Sequence, residues 1–371
     1  MSKNNKIAFV IHGFSMGGAE KFLISIVNYF CELGYNPLVV SLSKDDTLLH
    51  ELDSRAIFKC INKKHKFDIS VIKEVRSFIN SQQVDKIFCI NTYAFFIMKL
   101  AFMFDRNVRF FLSLHSTIPI STKVFLKNLL FFRFLNSKDS VIYLCNNQRA
   151  YLKKKYYLPN TIESVINNGI DKNYFDPDSL NTDEYKNLKV EYGIPPNDKI
   201  IIKVARINPE KGHMDAIEAL NILHNHYKKF AHLLFVGGGA ADYILSLKKK
   251  AIHYNLDQYI HFTNAQSDVR KFYQISDVFT LTSISETFSI AALEAMAFGL
   301  PCALTDIGGA NEMMIEGVTG VLSKPKNPFS IASSWDAILD SNLKGNLIRQ
   351  YFIDNFSSET MFHNYQSLVI Q

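Results

Sequence analysis

The sequence has few cysteines, and none of them follows a metal-binding or redox spacing. The five cysteines are scattered along 371 residues without a CxxC pair, and neither an HExxH motif nor a Cys/His cluster occurs. We therefore predict reduced thiols in the core of a cytoplasmic protein and no metal site. The glycine-rich stretches GFSMGGAE and GGGAAD both miss the GxGxxG spacing, which argues against a nicotinamide or flavin cofactor.

The sequence also lacks an apolar run long enough to cross a bilayer. The longest, residues 94–104, is 11 residues long and contains Lys99, whereas a spanning helix needs about 20. The apolar start of the chain ends at His12 and Gly13 without a cleavage pattern. It predicts a first β-strand rather than a signal peptide.

Positive charge is concentrated in the front half of the chain. Residues 1–175 contain 24 Lys+Arg against 13 Asp+Glu, whereas the remaining residues contain 17 against 22. The net charge of +6 is thus the sum of +11 for residues 1–175 and −5 for the remaining residues. A basic front half predicts contact with something anionic, such as membrane phospholipid. Nucleic acid is not expected, because no recognised binding motif accompanies the charge.

Apolar runs of strand length alternate with amphipathic helical stretches throughout the chain. This pattern predicts an α/β protein with two successive Rossmann-like, doubly wound parallel-sheet domains, residues 1–175 and 176–354. A C-terminal helix within residues 355–371 is expected to pack back on the first domain. The Asp-, Asn- and Pro-rich segment 171–188 is the expected linker, with a turn at 176–178. The predicted strands are residues 6–12, 36–42, 86–91, 108–114, 140–145 and 164–167, then 199–207, 232–237, 259–263, 278–282 and 302–305.

Two glutamates eight positions apart mark the richest segment, SETFSIAALEAMAFG. A helix predicted over residues 289–298 places Glu286 at its mouth and Glu294 about two turns along, roughly 12 Å away, which suits an extended ligand. The residues around Glu294 are apolar nearly all round, so its carboxylate needs a partner such as a pair of ligand hydroxyls. The alternative to ligand binding is structural: Glu286 caps the helix and Glu294 is a solvated helix residue. The helix start could bind phosphate through its amides, as any strand-to-helix turn could, at Thr287, Phe288, Ser289 and Ile290.

A second constellation, VARINPEKGH, places Arg206 and Lys211 after a buried strand. The carboxyl end of a parallel strand is where α/β sheets bind ligands. Arginine binds phosphate with two parallel hydrogen bonds, while lysine supplies a point charge. The alternative is a solvated loop in which Glu210 and Lys211 form a charge cluster.

Two features of the front half also suggest ligand binding, although each is a weaker signal than the two segments above. The turn at Gly17 and Gly18 lets backbone amides approach a phosphate, although glycines also simply make tight turns. His115 follows the strand RFFLSL, at the edge where active-site residues lie, but a lone histidine is more often structural.

The segment STKVFLKNLLFFRFLNSKDS, residues 121–140, predicts a basic aromatic helix that either lies in a membrane interface or packs in the core with solvated lysines.

Taken in order, these residues resemble the retaining GT-B glycosyltransferases of family 4, also called group 1 glycosyltransferases. The resemblance rests on Gly-Gly-Ala-Glu at 17–20, NNGID at 167–171, the Arg206…Lys211-Gly pair and the E-x7-E glutamates. It is densest over residues 203–320. Each motif is modest, whereas the ordered set is highly specific.

The resemblance implies two domains that face a central cleft and an enzyme that transfers a sugar with retention of configuration and without a metal or cofactor. In the family, residues matching Arg206 and Lys211 hold the diphosphate of a nucleotide sugar donor, and those matching Glu286 and Glu294 contact the donor sugar and the ribose. Gly17 and Gly18 match the turn that approaches the diphosphate, and His115 matches a histidine near the transferred sugar. A glycan or lipid-linked acceptor in bacterial surface polysaccharide assembly, with a UDP- or GDP-sugar donor, is the expected reaction.

The sequence departs from the family at Thr287 and Ser289, where glycine or another small residue is common, so the donor's identity stays open. Two other functions remain: a nucleotide-sugar 2-epimerase, which shares the architecture, and a nucleotide-sugar-binding protein without activity. Fixed cations and helix amides that stabilise a departing diphosphate are the expected mechanism, since no protein nucleophile is well placed.

Overall fold

The computed structural model describes residues 6–14, 17–62, 68–103, 105, 107–117, 121–341, 343 and 345–370. These form two compact units. The first comprises Met1–Asn167 together with Phe362–Gln371, and the second comprises Asn168–Met361.

The first unit is built on a seven-stranded parallel sheet with the order β3-β2-β1-β4-β5-β6-β7. Its central strands are buried over residues 7–11, 86–90 and 110–114, as expected when helices cover both faces. The register pairs Ala8 of the first strand with Leu38 on one side and with Ile87 on the other. The strands are β1 (Ile7–Ile11), β2 (Leu38–Ser41), β3 (Ile57–Cys60), β4 (Lys86–Ile90), β5 (Arg109–Leu114), β6 (Ser140–Tyr143) and β7 (Ile162–Val165).

Five helices of the first unit connect these strands. The first buries residues that recur every three or four positions, including Leu23, Ile26, Val27 and Phe30. It ends before Gly34, whose φ of +84° favours glycine. The helices are α1 (Gly18–Glu32), α2 (Ser70–Ser81), α3 (Asn91–Ala101), α4 (Thr122–Phe132) and α5 (Asn146–Tyr156).

The second unit contains a six-stranded parallel sheet with the order β10-β9-β8-β11-β12-β13. Its core includes a fully buried Trp335, whose indole nitrogen donates to Thr280 Oγ1 at 2.9 Å. The strands are β8 (Lys199–Val204), β9 (Ala231–Val236), β10 (Ile260–Phe262), β11 (Val278–Leu281), β12 (Cys302–Thr305) and β13 (Gly320–Ser323).

Nine helices of the described chain belong to the second unit. The segment predicted as a linker, 171–188, contributes to this unit, because a 3₁₀ turn (Pro177–Ser179) and two short helices form there. The turn itself is confirmed, since Asp176 Oδ1 accepts from the Asp178 amide at 3.1 Å. The helices are α6 (Thr182–Tyr185), α7 (Leu188–Glu191), α8 (His213–Asn225), α9 (Ala241–His253), α10 (Arg270–Gln274), α11 (Ile290–Ala297), α12 (Ala310–Met313), α13 (Pro328–Asp340) and α14 (Gly345–Phe356).

The last helix, α15 (Ser358–Ile370), belongs to the first unit from Phe362 onward. The ring of Phe362 stacks on Tyr29 at 4.5 Å, and Tyr365 OH lies 3.0 Å from Ser113 Oγ. The second unit begins at Asn168, before the boundary expected at 175/176. The boundary lies earlier because residues just after Asn168 already contact the second unit: the Ile170 amide donates to the Phe356 carbonyl at 3.1 Å.

Two strands and one cysteine differ from the sequence-based expectation. Strands β3 and β13 were not predicted: one is a partly exposed edge strand, and the other is a four-residue edge strand that begins with glycine. The five thiols are free, and four are buried, but Cys60 is exposed on β3 rather than in the core. Across the described part of the chain, no helix combines the length and hydropathy needed to cross a bilayer.

Candidate functional site

The strand order of the second unit creates a switch point between β8 and β11. The chain leaves β8 toward β9 on one side and returns to β11 on the other. The chain leaves the carboxyl ends of two such strands in opposite directions, and α/β sheets bind ligands at this point. The loop after β8 contains Arg206 and Lys211, and the loop after β11 contains Glu286.

Local hydrogen bonds fix the loop after β8. The Asn208 side chain accepts from the Lys211 amide at 3.1 Å, which starts a single 3₁₀ turn. Gly212 follows with a φ of +65°, and a Cβ there would lie 1.9 Å from the Thr282 carbonyl oxygen. The Thr282 hydroxyl in turn donates to the Gly212 carbonyl at 2.7 Å. The loop is therefore held close to the backbone that follows β11, while Arg206 remains exposed.

Lys211 and Glu286 meet although they are 75 positions apart. Lys211 Nζ lies 2.5 Å from Glu286 Oε2, and the two side chains are 22% and 20% exposed. The Ile284 amide also donates to the Glu210 carbonyl at 2.9 Å, which joins the two loops. The ion pair is therefore mostly buried yet reachable from solvent, and the carboxylate fixes the position of the ammonium.

The glutamates occupy different kinds of backbone. Helix α11 begins at Ile290, so Glu286 lies in the preceding loop and the helical spacing predicted for the two glutamates does not apply. Glu294 lies inside the helix, where its Oε2 accepts from Tyr273 OH at 2.8 Å. Burial raises the pKa of Tyr273 well above its usual value, so this phenol keeps its proton and donates it. The phenol is the partner that the apolar surroundings of Glu294 require.

The residues before α11 serve structural roles. Ser289 is buried and caps the helix, since its Oγ accepts from the Ala292 amide at 3.3 Å. The Phe288 side chain is buried against Phe356, with 5.7 Å between ring centroids. Its side chain is thus a core group, which leaves its backbone as the part available to a ligand. The Thr287 carbonyl accepts from the Gly309 amide at 2.8 Å.

In the first unit, His115 lies at the carboxyl end of β5, and its ring is fixed on two sides. Its Nε2 lies 3.0 Å from Ser113 Oγ, and its backbone amide donates to Asn91 Oδ1 at 2.9 Å. The ring packs on Phe22 at 4.4 Å between centroids. Burial lowers the pKa of His115 to about 3, so the imidazole is neutral at pH 7.

The predicted glycine turn lies at the start of α1. Gly17 precedes the helix in an extended conformation, and a Cβ there would lie 2.3 Å from Glu20 Oε2. Gly18 is the first helical residue. Both therefore lie at the carboxyl edge of the first sheet, as His115 does, because β1 and β5 are parallel neighbours of β4.

Within the part of the chain that the structure describes, no group of three or more His, Cys, Asp or Glu side chains is arranged to hold a metal ion. The cations at the second unit's switch point are protein side chains, Arg206 and Lys211.

Two family models match consecutive parts of the chain. "Glycosyltransferase Family 4" matches residues 16–174, and "Glycosyl transferases group 1" matches residues 184–355. Together they cover about nine-tenths of the sequence, including every candidate residue above. The chain belongs to the group 1 glycosyltransferases. The resemblance found in the sequence motifs is thereby confirmed.

Two curated relatives are similar to this glycosyltransferase over about half of its length. An uncharacterized glycosyltransferase of Methanocaldococcus jannaschii is 32% identical over 214 residues, which are 53% of this chain and 52% of the relative. A UDP-Gal:alpha-D-GlcNAc-diphosphoundecaprenol alpha-1,3-galactosyltransferase of Escherichia coli is 28% identical over 183 residues, 49% of this chain and 46% of the relative. The matched region thus spans about half the length of each of these two relatives.

Solved structures match the glycosyltransferase over nearly its whole length. A glycosyltransferase from Rickettsia africae ESF-5 has a TM-score of 0.84 at 25% identity and covers 98% of this chain and 97% of that one. Anabaena HepE in complex with UDP has a TM-score of 0.83 at 20% identity and covers 98% and 99%. The predicted pair of parallel-sheet α/β domains and the GT-B class are therefore confirmed.

Sequence reasoning missed the partners that hold the candidate residues in place. Tyr273 and Ser113 contact Glu294 and His115, respectively, but no motif marks them. Tyr273 is 21 positions from its partner and belongs to another helix, so only the tertiary structure brings the two together. Periodicity identifies Tyr273 as a core residue but not as the donor to a carboxylate.

Proposed function

We propose that this glycosyltransferase moves a sugar from a nucleotide diphosphate sugar to a glycan or lipid-linked acceptor, with retention of configuration, in bacterial surface polysaccharide assembly. A UDP- or GDP-sugar is the proposed donor. The Lys211–Glu286 ion pair at the switch point of the second unit is the observation that carries this proposal.

The arrangement suits the departure of a diphosphate. When the bond between the sugar carbon and the phosphate oxygen breaks, its electron pair leaves with the diphosphate and negative charge develops there. Lys211, already positioned by Glu286, and the exposed Arg206 would neutralise that charge. The start of α11 adds the positive end of a helix. These fixed groups act without a divalent metal and without a protein nucleophile.

Glu294 is the residue we assign to the ribose of the donor. Its Oε2 is held by Tyr273, and its partial exposure leaves the carboxylate able to accept from ligand hydroxyls. By family resemblance, Glu286 also contacts the donor sugar, while Gly17, Gly18 and His115 act near the diphosphate and the transferred sugar. A neutral His115 can accept or donate a hydrogen bond to a sugar hydroxyl without adding charge.

The relatives support the substrate classes. The E. coli relative is named for a UDP-galactose donor and a diphosphoundecaprenol-linked acceptor, and Anabaena HepE binds UDP. These substrates are the relatives' own. They favour a uridine nucleotide and a lipid-linked acceptor for this chain.

A surface of the first unit fits the membrane on which a lipid-linked acceptor resides. Helices α4 and α5 contain six lysines and arginines and no acidic residue. Three leucines of α4 are exposed, Leu126 to 58%, Leu129 to 39% and Leu130 to 54%. Exposed leucines flanked by cations are typical of a helix that lies in an anionic interface. We propose peripheral association with the inner face of the cytoplasmic membrane through this surface.

Liposome flotation tests the membrane proposal. The protein should float with vesicles that contain anionic phospholipid, and the double variant Leu126→Glu/Leu130→Glu should stay at the bottom. Leu347→Glu, which changes a leucine of α14 that is 52% exposed, is the matched control and should float like the parent. Equal flotation of the parent and the α4 variant, or none of the parent, contradicts the proposal.

The donor is identified by thermal-shift screening against UDP-, GDP- and ADP-sugars. A ligand that binds only the folded state raises the unfolding temperature according to its concentration and affinity. We expect a selective shift with one nucleotide class. No shift with any of the three would contradict the proposed function.

Transfer is distinguished from epimerisation by the fate of the nucleotide. A transferase releases the nucleoside diphosphate only when an acceptor is present, whereas a 2-epimerase isomerises the donor sugar without an acceptor. Incubation with the identified donor, with and without undecaprenyl diphosphate-linked sugar, followed by chromatography of the nucleotides, separates the two. The anomeric configuration of the product, read by NMR, tests retention.

A further inference from the structure

Lys203 is a fully buried lysine in the central strand of the second unit. It lies on β8, three residues before Arg206, and its side chain has a relative exposure of 0%. Its Nζ has no hydrogen-bond partner among the described residues. A buried ammonium without a partner is costly, so a lysine at this position needs an explanation.

The side chain lies beneath the loop that contains Lys211. Lys203 pairs in register with Phe235 of β9, so the two side chains extend from the same face of the sheet. The ring of Phe235 packs against His213, the first residue of α8, at 5.0 Å between centroids. Lys203 therefore extends toward the start of α8, directly after Lys211 and Gly212.

The charged groups around Lys203 come from three elements. Lys211 of the 3₁₀ turn opposes its positive form, while Glu286 of the loop before α11 and Asp215 of α8 favour that form. His213 of α8 is buried, and burial lowers the pKa of this histidine to about 2. Burial, with the charge of Lys211 next in size, lowers the pKa of Lys203 to about 7.

We propose that Lys203 is a positioning residue of the donor site, which takes a proton from solvent when the donor diphosphate binds beside Lys211 and so supplies a third positive charge from below. The inference rests on the donor site proposed above. The diphosphate adds negative charge next to Lys211, which reverses the repulsion that Lys211 exerts on Lys203. The neutral amine then becomes an ammonium, and binding and protonation are coupled.

The coupling has a definite sign. A group that binds a proton on ligand binding makes the ligand bind more tightly at low pH and less tightly at high pH. With a pKa of about 7, Lys203 is about one-quarter protonated at pH 7.5, so donor binding should take up more than about half a proton. Donor affinity should fall roughly tenfold between pH 6.5 and pH 9.

Isothermal titration calorimetry measures both quantities. The donor found by screening among UDP-, GDP- and ADP-glucose is titrated at pH 7.5 in buffers of different ionisation enthalpy, and then across pH 6.5–9. A nucleotide diphosphate sugar is the right probe, because its diphosphate has no group that titrates in this range. The slope of the observed enthalpy against the ionisation enthalpy gives the protons taken up.

Lys203→Met removes the amine and keeps the length of the side chain. It should still bind the donor, without proton uptake and with an affinity independent of pH. Because it replaces a buried unpartnered amine with an apolar group, its unfolding temperature should equal or exceed that of the parent. Lys199→Met, on the exposed start of the same strand, and His213→Phe are the controls, and both should keep the proton uptake.

The outcomes separate the two proposals. Donor binding with the same proton uptake in the parent and in Lys203→Met, or with none in the parent, overturns the role of Lys203 and leaves the proposed function intact. Loss of the uptake in His213→Phe alone assigns the proton to the histidine and also overturns it. If none of the three nucleotide sugars binds the parent protein, the donor site and this inference fail together.

Discussion

At the scale of single residues, the position of Lys211 depends on the backbone conformation of the next residue, Gly212. The lysine is positioned only because the next residue turns the backbone with a φ of +65° against the Thr282 carbonyl. No side chain fits there, since a Cβ would lie 1.9 Å from that oxygen. The Lys-Gly part of the motif therefore has a structural cause: the glycine lets the loop after β8 contact the loop after β11.

Replacing this glycine should damage both the fold and the donor site. We expect Gly212→Ala to lower the stability of the second unit by more than about 2 kcal/mol, through the steric clash and the left-handed backbone, and to remove the thermal shift with donor. Gly193→Ala is a matched control, because Gly193 has the same φ of +65° but nothing within 4 Å of its Cβ position. It should cost about 1 kcal/mol. Thermal unfolding of both variants tests this, and equal losses would contradict the account.

Motif residues were predictable at this scale, and their partners were not. Arg206, Lys211, Glu286 and Glu294 follow from spacing and family resemblance. The hydrogen bond from Tyr273 to Glu294 joins two different helices. The burial of Lys203 likewise depends on packing between elements that are far apart in the chain. The packing of the Phe288 side chain on Phe356 of α14 was likewise not predictable, while donor binding by the backbone amide of Phe288 stays a prediction.

At the scale of elements, long apolar runs predict the central strands, whereas the edge strands β3 and β13 were not predicted. Strands β1, β4 and β12 are buried throughout, so largely apolar runs mark their positions in the sequence. The edge strand β3 lacks such a run, and the edge strand β13 begins with glycine and is only partly buried. Composition predicts a linker over residues 171–188, but the segment forms short helices that belong to the second unit.

Helix α15 is the element whose contribution is most easily measured. Tyr365 is 1% exposed, and it packs on Phe22 at 5.2 Å and contacts Ser113, which in turn contacts His115. Truncation of Tyr365 to alanine should leave a cavity and destabilise the first unit by about 3–5 kcal/mol. His363→Ala on the exposed face of the same helix should change stability by less than about 0.5 kcal/mol. Denaturant unfolding would contradict this packing if the two variants behaved alike.

At the scale of the whole molecule, neutral histidines tie stability to pH. Burial lowers the pKa of His115 to about 3, and burial with the charge of Lys203 lowers that of His213 to about 2. In His261, burial and the neighbouring His232 lower the pKa to about 4. All three values lie below the unfolded value of about 6.5. The unfolded chain therefore binds protons first as the pH falls.

This gives a prediction about acid sensitivity. Stability should be constant above about pH 7 as far as these groups are concerned. Below pH 6.5 it should fall by up to about 1.4 kcal/mol per pH unit for each histidine. His213→Phe removes one of these groups and should make the slope between pH 6.5 and pH 5 shallower. Unfolding temperatures measured at half-unit intervals test this, and a flat profile over that window would contradict it.

The central claim for the whole molecule is that the second unit binds a nucleotide sugar through Lys211 and Glu294. Calorimetric titration of the screened donor into Lys211→Ala and Glu294→Ala tests it most directly, with Lys199→Ala and Glu218→Ala of the same unit as controls. Both site variants should lose at least about 100-fold in affinity, since charge-assisted hydrogen bonds to the ligand are removed, while the controls should bind like the parent. Parental affinity in both site variants would contradict it.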